Sequence, residues 1–108
     1  MKYLLEAVYS TEAWQAQIER PADRLALVQQ TIATLGGHIE FSYLAIGDYE
    51  TVTVFDMPDV ASMLGFMRAV VSTKTVSRYR LTPLVAGDEG LAALRNAATL
   101  AYPSPVAR

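Results

Sequence analysis

Glu6, His38, Glu40, Ser42, Thr53, Arg78 and Arg80 are the side chains of this sequence that could do chemistry. They fall inside apolar stretches, LLEAVY, HIEFSYL, TVTVF and SRYRL, at the two-residue spacing that puts alternate side chains on one face of a strand. If Glu6, Arg78 and Arg80 share the parity of His38 and Glu40, one sheet face carries a general base, carboxylates and cationic clamps together. His38 and Glu6 are then the candidates to take a proton, and catalytic residues proper stay unassigned. Arg78 and Arg80 would grip a carboxylate or phosphate in bidentate fashion. The plainer readings stand beside these: His38 as a solvated residue after a glycine pair, Glu40 as a rim or ion-pair residue, and the arginines as solubilising charges on an edge strand. Glu6 interrupts an otherwise apolar strand, so burial would require a partner such as Arg78 or Arg80.

The elements that must position these groups are organised around His38–Pro58. Ile39, Phe41, Tyr43 and Ala45 alternate with Glu40, Ser42 and Leu44, and Thr51–Phe55 is rich in β-branched residues, so the stretch reads as a hairpin. A two-residue turn, Gly47-Asp48 or Asp48-Tyr49, joins the strands. Either turn puts Phe41, Tyr43 and Ala45 on one face with Val52 and Val54, taken here as the core face. The other, mixed face holds His38, Glu40, Ser42, Leu44 and Ile46 beside Thr51, Thr53 and Phe55, and is the expected place of function.

Before the hairpin, Lys2–Tyr9 reads as a central strand because it is apolar on both sides. A short helical segment capped by Ser10 or Thr11 follows, with Trp14 and Ile18 on one side. Pro21–Leu35 reads as a helix with Leu25, Val28, Ile32 and Leu35 inward, stopped by Gly36-Gly37. After the hairpin, Pro58 and Asp59 open a helix whose inward stripe is Val60, Met63, Leu64, Met67 and Val71. Thr75–Leu84 is the last strand, an edge by its two arginines and Pro83. Asp88 caps a final Ala-rich helix reaching about Leu100, followed by a frayed Pro-Ser-Pro tail. The order β-α-β-β-α-β closes, with right-handed crossovers, as an α+β ferredoxin-like, four-stranded antiparallel sheet in spatial order 4-1-3-2. Residues 1–108 are read as one domain.

Composition narrows the functions. A net charge of −2 offers no basic field for nucleic acid. There is no cysteine and a single histidine, so neither thiol chemistry nor a zinc site is expected. No stretch reaches the length of a membrane span or reads as a signal peptide, and a cytoplasmic setting is expected. Neither GxGxxG, GxxxxGK[ST] nor GxSxG occurs, and no cofactor is expected.

The opening Lys2-Tyr3-Leu4-Leu5, the pair Gly36-Gly37, the turn Gly47-Asp48-Tyr49-Glu50 and Pro58-Asp59 resemble the GYD domain family of small bacterial proteins, named for a Gly-x-Tyr-Asp turn. The resemblance spans about residues 2–85 and leaves the last helix outside. Glu50 stands where the family usually has Asp, and Ser72-Thr73-Lys74 where it tends to carry a glycine. The resemblance implies a ferredoxin-like fold of the dimeric α+β barrel type and carries over no catalytic residues.

A sheet covered by helices on one face leaves the other to a partner. The expectation is a homodimer or higher homo-oligomer whose open sheet faces enclose a cavity for a small, anionic organic molecule. Two alternatives stay open. One is cofactor-independent oxygenation or isomerisation of the monooxygenase or isomerase kind found on this barrel, with His38 or Glu6 as base; the other is a non-catalytic oligomerisation module.

Overall fold

The computed structural model describes residues 1–106. The chain runs β1 (Lys2–Tyr9), α1 (Thr11–Glu19), α2 (Arg24–Thr34), β2 (His38–Leu44), β3 (Thr51–Asp56), α3 (Val60–Ser72), β4 (Val76–Leu84) and α4 (Gly87–Ala98). The four strands form one antiparallel sheet in the order β2-β3-β1-β4, so β1 and β3 are central as expected. This is the ferredoxin-like α+β arrangement with an added C-terminal helix. No helix of the described residues is long and apolar enough to cross a membrane.

Local chemistry sets the helix ends. Ser10, Asp23 and Asp59 each accept a backbone N–H three residues on, from Ala13 (3.0 Å), Ala26 (3.1 Å) and Ser62 (2.7 Å), which satisfies one of the orphan donors of each first turn. Gly36, at φ 81°, ends α2 in the left-handed region. Lys74 does the same after α3 at φ 58°, in the segment where the family resemblance leads one to expect glycine. Asp88 does not cap α4: the cap position is Ala86, without a side-chain bond, and Asp88 lies inside the first turn.

The core lies between the sheet and α2 and α3. Tyr3, Leu5 and Ala7 of β1 and Phe55 of β3 meet Ile32 of α2 and Met63, Phe66 and Met67 of α3, with Met57 beside them. The inward stripe of α3 is therefore rotated from the expected one. Val60, Leu64 and Val71 are exposed, while Phe66 is buried and Val70 packs against the core. The stripe centres between Met63–Met67 and Phe66–Val70 because the large Phe66 ring packs, tilted by 50°, against Phe55, with centroids 5.4 Å apart.

The hairpin pairs Tyr43 with Val52 and Phe41 with Val54, so these four share a face as expected, but it differs in three respects. Its last rung is Ala45 N–H to Glu50 C=O at 2.8 Å, so Ile46–Tyr49 form a four-residue loop rather than a two-residue turn. A bulge at Glu40 brings Ile39 opposite Phe55 and His38 opposite Asp56. The two faces are also exchanged. Tyr3 pairs with Phe55 and Leu5 with Thr53, so Phe55, Thr53, Thr51, Ser42 and Leu44 face the helices. Phe41, Tyr43, Val52 and Val54 lie on the open face with Leu4, Glu6, Val8, Arg78 and Arg80. From Phe41 to Leu44 the alternation was right about which residues share a face, but the bulge sets Ile39 on the helix side and His38 on the open side, the reverse of the expected grouping; β1, whose odd positions supply the core, decides which face is covered.

Helix α4 buries none of its residues, and the described chain extends 61 Å in its longest dimension.

Candidate functional site

Where α2 and α3 pass over the sheet, the strands present small or hydroxylated side chains, Ala7, Ser42, Thr51 and Thr53, instead of large apolar ones. The helices span them without filling the space, leaving a cavity of about 560 Å³. Leu5 and Phe55 belong to its floor; Val28 of α2 and Phe66 and Val70 of α3 belong to its walls. On the floor the Ser42 and Thr53 hydroxyls are bonded to each other at 2.9 Å, which leaves this pair further hydrogen-bonding capacity toward the cavity. Gln17, Asp23 and Arg24 stand on its lining from α1 and the start of α2. A largely apolar concavity of this size with a few polar groups has the make-up of a small-molecule site.

The open face carries a second concavity of about 500 Å³, at the end of the sheet where the Ile46–Tyr49 loop lies. Glu6, opposite Arg80 across β1 and β4, accepts from its Nε at 3.0 Å and pairs with its terminal nitrogen at 3.0 Å. Arg78 donates to the Asp48 carbonyl. Both guanidinium groups sit over the Tyr49 ring, at 4.8 and 5.3 Å from its centroid. The family-like turn is thus fastened to the edge strand by its arginines. Their charge is already engaged, and the Arg80 side chain is 62% exposed, so the pair adds little stability of its own.

Glu50 faces the other way. Its carboxylate accepts the Tyr9 N–H at 2.8 Å and the Trp14 indole N–H at 3.1 and 3.2 Å, while its own N–H donates to the Ala7 carbonyl at 2.9 Å. It ties α1 to the sheet.

His38 and Glu40 stand at the opposite end of β1 from Glu6, about 13 Å along the strand at the usual rise. Lys2 Nζ lies 2.6 Å from Glu40, and that hydrogen bond and charge hold the Lys2 ammonium's pKa above its ordinary value. His38, Glu40 and Asp56 offer ligand atoms within 4.8 Å of one another. Lys2 and the terminal ammonium, 3.2 Å from Asp56, already stand against the two carboxylates and oppose a cation there.

The expected single constellation is therefore divided. Glu6, Arg78 and Arg80 meet the loop at one end of the open face, and His38 and Glu40 meet Lys2 at the other. Ser42 and Thr53 are on the helix-covered face, because the hairpin is turned over relative to the expectation, and the bulge at Glu40 returns His38 to the open face. Sequence reasoning missed Gln17 and Arg24; the signal for the cavity they border was the run of hydroxyl residues on a face that also carries Phe55.

The family model described as GYD domain matches residues 3–94, which extends beyond the expected residue 85 into α4. The solved structure of 5-chloro-2-hydroxyhydroquinone dehydrochlorinase from Burkholderia phenoliruptrix AC1100, in complex with 2,5-dihydroxybenzoquinone, is similar in fold. It superposes with a TM-score of 0.57 at 9% identity, covering 82% of this chain and 98% of that one. No curated protein matches the sequence.

Proposed function

The chain belongs to the GYD domain family, and from that premise we propose that it is a homodimer in which each protomer binds a small organic molecule between its sheet and helices α2 and α3. The cavity of about 560 Å³, with apolar walls and the Ser42–Thr53 hydroxyl pair on its floor, carries this reading. A ring-sized molecule would bury its body against Leu5, Phe55 and Val70 and place one polar atom on the hydroxyls. The similar fold of a dehydrochlorinase solved with a small quinone supports the size class and nothing more specific.

The open face is the proposed dimer contact. It exposes Phe41 and Tyr43, their rings 5.7 Å apart, beside Leu4, Val8 and Val52, and it has charged groups at both ends of its apolar strip. Enzymatic use of His38 or Glu6 as base finds less support, since both lie outside the helix-side cavity.

The test is a thermal-shift screen of small ring compounds against the whole chain, repeated with Ala69→Phe. Ala69 is an exposed residue of α3 that borders the cavity, so a phenyl ring there blocks the space without disturbing the core. Stabilisers that lose their effect in Ala69→Phe are expected. Stabilisation that survives the block would place the ligand elsewhere.

A further inference from the structure

Resting on that reading, we propose that the molecule held in the helix-side cavity is an aromatic monoanion, with its ring among the apolar walls and its negative group at Arg24. The cavity is lined by a single cationic side chain, Arg24, the first residue of α2. Among the described residues Arg24 enters no ion pair, whereas Arg80 is held by Glu6 and Arg78 by the Asp48 carbonyl.

Its position adds to the argument. A cation in the first turn opposes the helix dipole, and the one acidic group at this helix end is the N-cap Asp23. Arg24 therefore stands as the cation that favours an anion at the cavity, while the positive end of α2 is already met by the Asp23 carboxylate at its N-cap. Asp23 is the one carboxylate on the lining, and it is occupied as the helix cap, accepting the Ala26 N–H at 3.1 Å. Gln17 of α1 also stands on the lining, its amide nitrogen already donating to the Ala13 carbonyl at 3.2 Å. The Ser42–Thr53 pair on the floor is uncharged, so the charge of the ligand is read at the mouth and its polar substituent at the floor.

Calorimetric titration of the whole protein with 2-naphthoate and with its uncharged amide, 2-naphthamide, tests this. The two probes share a shape and differ in charge. The carboxylate is expected to bind about tenfold more tightly, the gain of a charge-assisted hydrogen bond in a partly solvated site, and the difference should shrink with added salt. Arg24→Gln should remove the difference while leaving amide binding intact; Arg24→Lys should retain part of it, and Arg78→Ala all of it.

Equal binding of both probes overturns the anion proposal and leaves the cavity reading standing. A carboxylate preference that survives Arg24→Gln, or that disappears in Arg78→Ala, places the anion on the open face and overturns it as well. Binding of neither probe overturns the proposal together with the cavity reading it rests on.

Discussion

The carboxylate of Glu50, on the last residue before β3, accepts the indole N–H of Trp14 on α1, across 36 residues of chain. Helix α1 buries none of its own residues, so this bond, the Tyr9–Trp14 edge contact at 5.1 Å and the Ser10 N–H to Thr75 carbonyl bond are what join it to the sheet. Because α1 also supplies Gln17 to the cavity, the clasp positions part of the proposed site. Glu50→Ala is expected to cost about 1–2 kcal/mol, the range for a charge-assisted bond that is half solvated, and to shift the emission of the single tryptophan to the red. Glu50→Asp, one methylene shorter, should lose the indole while keeping the Tyr9 N–H. Unchanged emission in Glu50→Ala would show that Trp14 does not depend on Glu50.

Gly37 has no room for a side chain. A Cβ there would lie 2.4 Å from Met57 Sδ and 2.8 Å from the Asp56 carbonyl oxygen, and the second contact is backbone that cannot swing aside. Gly37→Ala is expected to destabilise the fold by about 1–3 kcal/mol, as overpacking does. Chemical denaturation measures it, and a neutral result would mean that β3 is free to shift at Asp56.

Lys74 presents the reverse situation. Its φ of 58° is strained for a residue with a side chain, so Lys74→Gly relieves the native state although it loosens the unfolded chain. A net gain of about 0.5–1 kcal/mol is expected. Loss of stability in the same denaturation experiment would show that Lys74 makes a compensating interaction.

Asp59 links stability to pH. The Ser62 backbone N–H, and after it the Ser62 side chain, hold its carboxyl below the usual carboxylate range. A folded pKa below the unfolded one contributes stability at pH values above the unfolded pKa, and that contribution is lost as pH falls through the folded pKa. Acid titration of the melting temperature should therefore fall more steeply in the natural chain than in Asp59→Asn, which keeps a cap without a titrating group. Parallel acid limbs would remove Asp59 from the account.

The strand order, the caps at Ser10 and Asp59 and the sharing of one face by Phe41, Tyr43, Val52 and Val54 could be read from the sequence, because each follows from a local pattern, whereas the caps at Asp23 and Ala86 could not. The direction in which the hairpin faces could not. Alternation is blind to which side is covered, and a face carrying Phe41, Tyr43, Val52 and Val54 looks more like a core than one carrying Ser42, Thr51 and Thr53. The bulge at Glu40 left no signal that distinguishes it from a regular strand. The meeting of Arg78 and Arg80 with the Asp48-Tyr49 loop lay within reach, since parity put the arginines beside Glu6. For the helix-side cavity the hydroxyl run Ser42, Thr51 and Thr53 beside Phe55 was the one local signal, and the rest depends on the spacing of α2 and α3 over small strand residues.

The exchanged face supplies the last prediction. Val54, on the open side, is only 5% exposed because Leu4 and Phe41 flank it across the sheet, whereas Phe41 and Tyr43 are themselves 44% and 68% exposed. Two-fold packing of open faces would cover these rings, and Phe41→Glu would set a carboxylate into that contact on each protomer without entering the core. Light scattering should show dimers of the natural chain dissociating in Phe41→Glu, with a dissociation constant raised by more than about tenfold and an unchanged far-ultraviolet spectrum. Leu94→Glu on the exposed α4 should leave the dimer intact. If Leu94→Glu dissociates it and Phe41→Glu does not, α4 is the contact and the open sheet face is solvent-exposed, because a charge weakens association only where the partner buries it.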